Sequence, residues 1–182
     1  MLIKLVLVGR LKDRAMQARC DEFAKWLSPY AKLEVVELPD STVAKEGLAI
    51  LKSLGRERNA AVVVLSEEGR EFTSVQFAEK LGSCDRKIVF VIGGPYGLAP
   101  EVKQRADLLW SLSKLTFTHE LARLLLFEQL FRATNILHGG SYHNPYPDLS
   151  LSGIVFGCGY FPVSHFWSFF VFPLDIIVVF PS

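Results

Sequence analysis

The stretch IVFVIGGPYGLAP, residues 88–100, joins an apolar strand directly to a turn rich in glycine and proline. A backbone that leaves a buried strand through Gly93, Gly94 and Gly97 can approach a ligand closely, because glycine has no Cβ atom and tolerates positive φ. A second segment, WSLSKLTFTHELAR at residues 110–123, opens a long apolar helix. Segments at the carboxyl ends of strands in an α/β chain are where small molecules usually bind.

Apolar runs and helical periodicities alternate along the chain as far as residue 137. Short apolar runs predict strands, and apolar residues three or four apart between capping residues predict helices. This alternation predicts an α/β fold with a mainly parallel sheet and helices on both faces. The predicted strands are residues 3–8, 33–38, 60–65, 88–92 and 108–112, and the predicted helices are residues 15–27, 43–54, 74–81, 100–106 and about 118–137.

Two helix ends carry specific signals in the sequence. Thr73 and Gln76 have the spacing of a capping box at the start of the third helix. Gly55 follows the second helix, where a glycine commonly closes a helix.

Length and charge leave most functional classes open. A chain of 182 residues is long enough for one domain with a proper core. Within residues 1–144, 20 basic residues and 17 acidic ones leave a charge of +3, because no Lys or Arg follows and only Asp148 and Asp175 are acidic there. That charge is too small to indicate nucleic-acid binding by itself, since domains that track phosphates are strongly basic.

The cysteine pattern favours a reducing compartment. The three cysteines are far apart and have no CxxC spacing, so we expect free thiols in the cytoplasm: Cys20, Cys84 and Cys158.

Lys4 interrupts the first apolar run, and no small-residue cleavage site follows it. The beginning of the chain therefore predicts a buried strand and not a signal peptide. His138 and His143 lack partners at metal-ligand spacing, so we expect no metal site.

The glycine-rich turn lacks the features of a phosphate-binding loop. The dinucleotide fingerprint requires G-x-G-x-x-G after the first strand, whereas this turn follows the fourth predicted strand. Pro95 and Pro100 remove two amides that would hold a phosphate, and no Lys-Ser or Lys-Thr pair of a P-loop is present. The turn therefore predicts an uncharged or cationic ligand. A tight turn without any ligand is the alternative.

The second segment mixes hydroxyl groups with apolar side chains. Its main-chain groups can hold an adenine edge while Leu112, Leu115 and Phe117 pack against the ring. The alternative is that Thr118 simply caps the following helix, and the two interpretations are compatible.

Three further polar residues lie within one turn of the last helix. His119, Glu120 and Arg123 are placed on or near one face, and the alternative to a functional role is a solvated first turn. Tyr142 and His143 follow a glycine pair and, taken alone, form an ordinary polar terminus.

Residues 145–182 differ in character from the rest of the chain. They are dense in Phe, Val and Ile, and glycines and prolines keep every apolar run short of the roughly 20 residues of a spanning helix. No basic flank is present to set a membrane orientation. We therefore expect an atypical apolar tail, with membrane insertion disfavoured. There are two alternatives to a membrane anchor. One is a further buried element, and the other is a sequence that selection never shaped, such as readthrough past a lost stop codon.

Four motifs in this order resemble the RlmH family of SPOUT-class methyltransferases: IGGPYGL at 92–98, WSLSKLTFTHELAR at 110–123, FEQLFRA at 127–133 and GGSYH at 139–143. The resemblance covers residues 1–144. It implies S-adenosylmethionine-dependent methylation of N3 of a pseudouridine in 23S ribosomal RNA, in the large subunit or the assembled ribosome. It also implies a C-terminal trefoil knot, an exception to the rule against knots, and a homodimer with active sites at the subunit interface.

The resemblance also implies where the methyl donor binds. The implied cofactor-binding residues are Leu65, Gly94, Ser113, Lys114, Leu115, Thr116, Phe117 and Thr118. The candidate catalytic residues are His119, Arg123, Tyr142 and His143, of which the last two are expected to reach the neighbouring subunit's cofactor. Arg123 suits a phosphate or base carbonyl. Tyr142 suits stacking on the target base, and His143 suits removal of the N3 proton.

The chain departs from the family pattern at Asn144, where a Lys or Arg is expected to end the protein. We therefore predict a methyltransferase domain at residues 1–144 and an apolar extension at residues 145–182. The alternative function is a catalytically weakened RNA- or ribosome-binding module of the same fold. The fold class alone would also allow a flavodoxin-like nucleotide or metabolite binder.

Overall fold

The computed structural model describes residues 1–144, and the predictions for residues 145–182 lie outside the described residues. The strands are β1 (Leu2–Val8), β2 (Lys32–Leu38), β3 (Ala60–Arg70), β4 (Lys87–Ile92) and β5 (Leu108–Trp110). The helices are α1 (Arg14–Leu27), α2 (Val43–Leu54), α3 (Ser74–Gly82), α4 (Pro100–Gln104) and α5 (His119–Leu137).

The strands form one parallel sheet in the order β2-β1-β4-β3-β5. Ile3 of β1 lies opposite Leu33 and Ile88, and Val63 of β3 lies opposite Phe90. The central strands β1 and β4 are apolar except for Lys4 and Lys87, because both of their faces are covered. The predicted α/β fold with a mainly parallel sheet is confirmed.

Helices cover both faces of this sheet and form two separate cores. On one face, α1, α3 and α5 pack around buried side chains such as Phe23, Phe77 and Leu126. On the other face, α2 and α4 pack Ile50 and Val102 against the sheet. Each helix turns its apolar side to the sheet, as the sequence periodicity predicted.

The helix ends follow the predicted capping signals. The Thr73 hydroxyl accepts a hydrogen bond from the Gln76 amide, and the Gln76 side chain accepts one from the Thr73 amide, which confirms the capping box. Gly55 lies at the end of α2, and the Thr118 side chain accepts from Leu121 N at the start of α5. Asp13 caps α1 in the same way, a role that the sequence analysis did not identify.

Two strand ends differ from the sequence prediction by more than one residue. β3 continues past Leu65 to Arg70, and Trp110 pairs with both of these residues across an irregularity in β3. Gly69 allows this close approach, because a Cβ atom on it would lie 2.6 Å from Trp110 N. β5 ends at Trp110 and not at residue 112, since the chain turns at the next residues, where Ser111 Oγ donates to Ser113 O. The implied trefoil knot stays a prediction.

Candidate active site at the carboxyl ends of the strands

An open cavity of about 760 Å³ lies at the carboxyl ends of β3, β4 and β5. The turn after β4 forms one wall, and the segment between β5 and α5 forms the other. Both segments singled out in the sequence therefore face one space, as expected at the carboxyl edge of a parallel sheet. Seven of the eight predicted cofactor-binding residues line it: Leu65, Gly94, Ser113, Leu115, Thr116, Phe117 and Thr118.

The glycine turn is tight and passes close to α2. Gly97 N donates to Gly94 O at 3.1 Å, and Gly97 has a φ of +86°, a conformation that favours glycine. A Cβ atom on Gly94 would lie 2.8 Å from Glu46 Oε2 and 3.1 Å from Val8 Cγ1. Glu46 and Val8 therefore leave no room for a side chain at position 94. Tyr96, at the tip of the turn, is 78% exposed.

The opposite wall is shaped by its own hydroxyl groups. Ser111 Oγ donates to Ser113 O at 2.7 Å, and Ser113 Oγ accepts from Leu115 N at 3.1 Å. Thr116 Oγ1 donates to Glu67 Oε2 at 3.2 Å, which ties this wall to the end of β3. Leu115 is 70% exposed at the rim of the cavity. The wall therefore presents main-chain groups and apolar surface to a ligand.

Lys114 is the one predicted cofactor-binding residue that does not line the cavity. Its side chain is 77% exposed, and its Nζ atom lies 3.9 Å from Glu71 Oε2. A contact between Lys114 and a ligand in this cavity stays a prediction.

The first turn of α5 directs its polar side chains to different places. His119 lines the cavity, while Glu120 lies beside it and accepts a hydrogen bond from Lys12 N at 2.8 Å. Arg123 is 3% exposed and donates to Glu37 Oε1 at 2.7 Å and to Gly9 O at 2.6 Å. Its guanidinium group therefore links α5 to the ends of β1 and β2, away from the cavity wall.

Tyr142 and His143 lie against the far part of α5 and do not line the cavity of their own chain. Tyr142 N donates to Asn135 Oδ1 at 2.9 Å, and its ring lies 4.8 Å from that of Phe131. His143 Nδ1 lies 3.4 Å from Arg132 Nη1. The structure thus brings these two residues together with each other but not with the other predicted site residues.

The Tyr142 phenol is held in its neutral form. Burial raises its pKa, and the Glu128 carboxylate raises it further because it repels a phenolate and accepts the phenol's hydrogen bond at 3.2 Å. Arg132 packs on the same ring, 4.8 Å from its centre, and pairs with Glu128. Tyr142 therefore offers a flat ring and a neutral phenol whose proton is donated to Glu128, and not a base.

The charges around the cavity do not form an anion site. Lys103 lies on the wall, but its Nζ atom pairs with Glu68 Oε2 at 3.0 Å, and Glu67 and Glu120 add negative charge. Within residues 1–144, no group of three or more His, Cys, Asp or Glu is placed to hold a metal ion. In the same part of the chain, no helix has the length and apolar character needed to cross a membrane.

The sequence analysis missed three residues of this region: Glu67 and Tyr96 on the wall, and Glu46 behind Gly94. Glu67 follows a predicted strand by two residues, so the rule on carboxyl ends could have identified it. Tyr96 lies inside the quoted IGGPYGL motif. Glu46 has no signal in the sequence, because its position depends on how α2 packs under the turn.

These observations define a parallel α/β protein with a main-chain-lined cavity at its late strands. A family described as "Predicted SPOUT methyltransferase" matches residues 1–143, and the chain belongs to this SPOUT methyltransferase family. Its members transfer a methyl group, so the chain uses a methyl donor.

Individual relatives match the chain over nearly their whole length. The "Ribosomal RNA large subunit methyltransferase H" of Gloeobacter violaceus is 46% identical over 152 residues, which cover 79% of this chain and 99% of the relative. The protein of the same name from Synechococcus sp. is 51% identical over 142 residues, covering 78% of this chain and 93% of the relative. That of Anaeromyxobacter dehalogenans is 43% identical, covering 79% and 99%.

Proposed function

We propose that this chain transfers a methyl group from S-adenosylmethionine to N3 of a pseudouridine in 23S ribosomal RNA, in the large subunit or the assembled ribosome. The observation that carries the proposal is that seven residues expected to bind the donor line one cavity. The names of the relatives, which refer to the large subunit's RNA, support the choice of substrate. They do not favour the alternative of a weakened binding module.

The chemistry of the cavity supports S-adenosylmethionine as the donor. When bound, this donor supplies an electrophilic methyl group on a positively charged sulfur, and it carries no phosphate. Among the described residues, the main-chain N–H groups of Thr116 and Phe117 have no acceptor and can hold an adenine edge. Leu115 offers apolar surface beside them, and Gly94 allows the main chain to approach closely.

The chain's own part in the reaction is to hold the donor, to present the base and to accept a proton. The N3–H group of the base must lose its proton as the nitrogen becomes a nucleophile, and we assign this proton to His143. Tyr142, neutral and flat, stacks on or donates to the base. His119, on the cavity wall, is a further catalytic candidate. Positioning by these groups can supply much of the rate enhancement.

The described contacts of Arg123 support a role other than the predicted catalytic one. Its guanidinium group is buried between Glu37 and Gly9 O, which supports a role in positioning the first turn of α5 and thereby His119. Contact with an RNA phosphate stays a prediction.

We infer that two copies of the chain build each active site. Tyr142 and His143 lie off the cavity of their own chain, so a neighbouring copy is the source that can place them there. They adjoin a cluster of half-buried aromatic rings on α1 and α5 that includes Trp26 and Phe131, whose centres lie 5.4 Å apart. Such rings are common in interfaces between proteins. The proposal includes the trefoil knot and a cytoplasmic location, where ribosomes are found.

We also propose the division into a methyltransferase domain at residues 1–144 and an extension at residues 145–182. The family match ends at residue 143, which supports this division.

The test is methyl transfer to ribosomes that carry the pseudouridine but lack its methyl group. The full chain with S-adenosylmethionine should add one methyl group per ribosome, located at N3 by mass spectrometry of the digested RNA. Ribosomes with uridine at that position are the matched control and should accept none. Donor binding without any transfer would support the binding-module alternative, and absence of donor binding would contradict the proposal altogether.

A further inference from the structure

Glu46 is a buried carboxylate that lies directly behind the glycine turn. It belongs to the first turn of α2 and is 3% exposed. Its Oε1 atom accepts a hydrogen bond from Ser41 N at 2.7 Å. Its Oε2 atom has no hydrogen-bond partner among residues 1–144 and lies 2.8 Å from the place that a Cβ atom on Gly94 would take.

This arrangement is costly unless the carboxylate has a use. A buried polar atom without a partner costs about 1–3 kcal/mol, and more when it is charged. The basic side chain on the nearby cavity wall, Lys103, is already paired with Glu68. Within residues 1–144, no basic side chain pairs with the Glu46 carboxyl group.

The Glu46 carboxyl group lies in the first turn of α2, where the positive end of the helix dipole attracts negative charge. Ser41 N donates a hydrogen bond to its Oε1 atom.

Gly94 separates this charge from the cavity by only one strand of main chain. Gly94 lines the cavity on one side, and Glu46 lies on its other side. Because glycine has no side chain, residue 94 places only backbone beside the carboxyl group. A buried charge is screened much less by salt and water than the carboxylates of Glu67 and Glu120, which lie on the open wall.

We propose that Glu46 is a specificity-determining residue that makes the cavity prefer the cationic sulfonium of S-adenosylmethionine over the neutral thioether that remains after transfer. In the reaction the methyl carbon leaves sulfur, and the bonding electron pair stays on sulfur, so the positive charge of the donor disappears. The attraction of Glu46 disappears with it. Glu46 thereby strengthens binding of the substrate form of the cofactor and leaves binding of the product form unchanged.

This inference rests on the proposed function, and a binding experiment distinguishes the two. We would measure by calorimetry the Kd values of the full chain for S-adenosylmethionine and for S-adenosylhomocysteine. In Glu46→Gln, which keeps the shape and removes the charge, affinity for S-adenosylmethionine should fall about five- to tenfold while affinity for S-adenosylhomocysteine stays within twofold. Glu79→Gln, an exposed carboxylate on α3, is the matched control and should change neither.

Other results for the Glu46 variants would overturn the proposal, and one result for the wild-type chain would contradict the proposed function. Equal weakening of both ligands in Glu46→Gln, or no change in their ratio, would overturn the proposal. If Glu46→Gln does not fold, Glu46→Asp keeps the charge and should retain the preference for S-adenosylmethionine. Failure of both variants to fold would show a purely structural residue and would also overturn it. A wild-type chain that binds neither ligand would contradict the proposed function instead.

Discussion

The two ends of the parallel sheet differ in how their charged side chains are paired. At the amino end, Lys4 and Lys87 each pair with Glu34 and Glu57 at 2.9–3.1 Å. At the carboxyl end lie the glycine turn, exposed hydrophobic side chains and the Oε2 atom of Glu46, which has no hydrogen-bond partner among residues 1–144. The four lysine–glutamate contacts thus stabilise the amino end of the sheet, while the cavity lies at its carboxyl end.

The titration of the amino-end carboxylates reflects this pairing. Hydrogen bonds from Lys87, and then Lys4, lower the pKa of Glu34. Burial alone would raise the pKa of Glu57, but the hydrogen bonds from the same two lysines outweigh burial and lower it. By contrast, the Oε2 atom of Glu46 at the carboxyl end has no hydrogen-bond partner among residues 1–144.

The largest effect is expected from the ion pair between Arg123 and Glu37 at the carboxyl end. Arg123→Ala should lower the free energy of unfolding by about 2–3 kcal/mol, because Gly9 O and Glu37 lose their partner. The expected value lies below that of a fully buried pair, since the Glu37 side chain is 37% exposed. Urea denaturation measures it, with Arg58→Ala in an exposed loop as control. A loss under about 0.5 kcal/mol would show that this end does not depend on paired charge.

The next effect tests the close approach at Gly94. Gly94→Ala places a Cβ atom 2.8 Å from Glu46 Oε2, so the turn or the carboxylate must move. We expect affinity for S-adenosylmethionine to fall about tenfold, which corresponds to about 1.4 kcal/mol. Calorimetry checks this, and Gly55→Ala, where the added atom meets Leu51 O at an ordinary 3.4 Å, serves as control. Unchanged affinity would place the donor elsewhere.

A smaller, pH-dependent effect is expected at the amino end. Glu57→Gln should cost about 1–2 kcal/mol at neutral pH, because two charge-assisted hydrogen bonds are weakened. The folded-state pKa of Glu57 is lowered below the ordinary 4.5, so its stabilisation is complete above that pH and is lost as the pH falls further. The difference between wild type and variant in thermal denaturation should therefore shrink toward pH 3. A difference that does not depend on pH would refute the electrostatic origin.

The smallest effect concerns the wall of the cavity. Thr116→Val removes the hydroxyl group that donates to Glu67 Oε2, in an exposed hydrogen bond. Since such a bond contributes about 0.5–1 kcal/mol, donor affinity should fall about two- to threefold. Ser74→Ala removes a hydroxyl group that donates to Gln129 away from the cavity, and it should leave the affinity unchanged. A loss of a hundredfold would show that Thr116 contacts the donor through its side chain.

The sequence predicted the parts of the fold that depend on local signals. The strands and helices, the capping box at Thr73 and the closing glycine of α2 all follow from periodicity and terminal residues a few positions apart. Seven of the eight residues predicted to bind the donor line one cavity, because the carboxyl ends of parallel strands share an edge.

What the sequence did not show depends on contacts between distant residues. Glu46 and Gly94 are far apart in the chain, and nothing near Glu46 indicates that α2 packs under the turn. The extension of β3 to Arg70 depends on Gly69 admitting the Trp110 main chain. The sequence left Arg123 available for a substrate, since its partner Glu37 belongs to a strand 86 positions earlier.

The most direct test of the central claim is a crystal structure of the full chain grown with S-adenosylmethionine. We predict that the adenosine and the sulfonium lie between the turn of residues 93–98 and the segment of residues 111–118, with the donor in contact with Gly94. Donor density at any other place on the protein, or side chains filling this cavity in place of the donor, would contradict it.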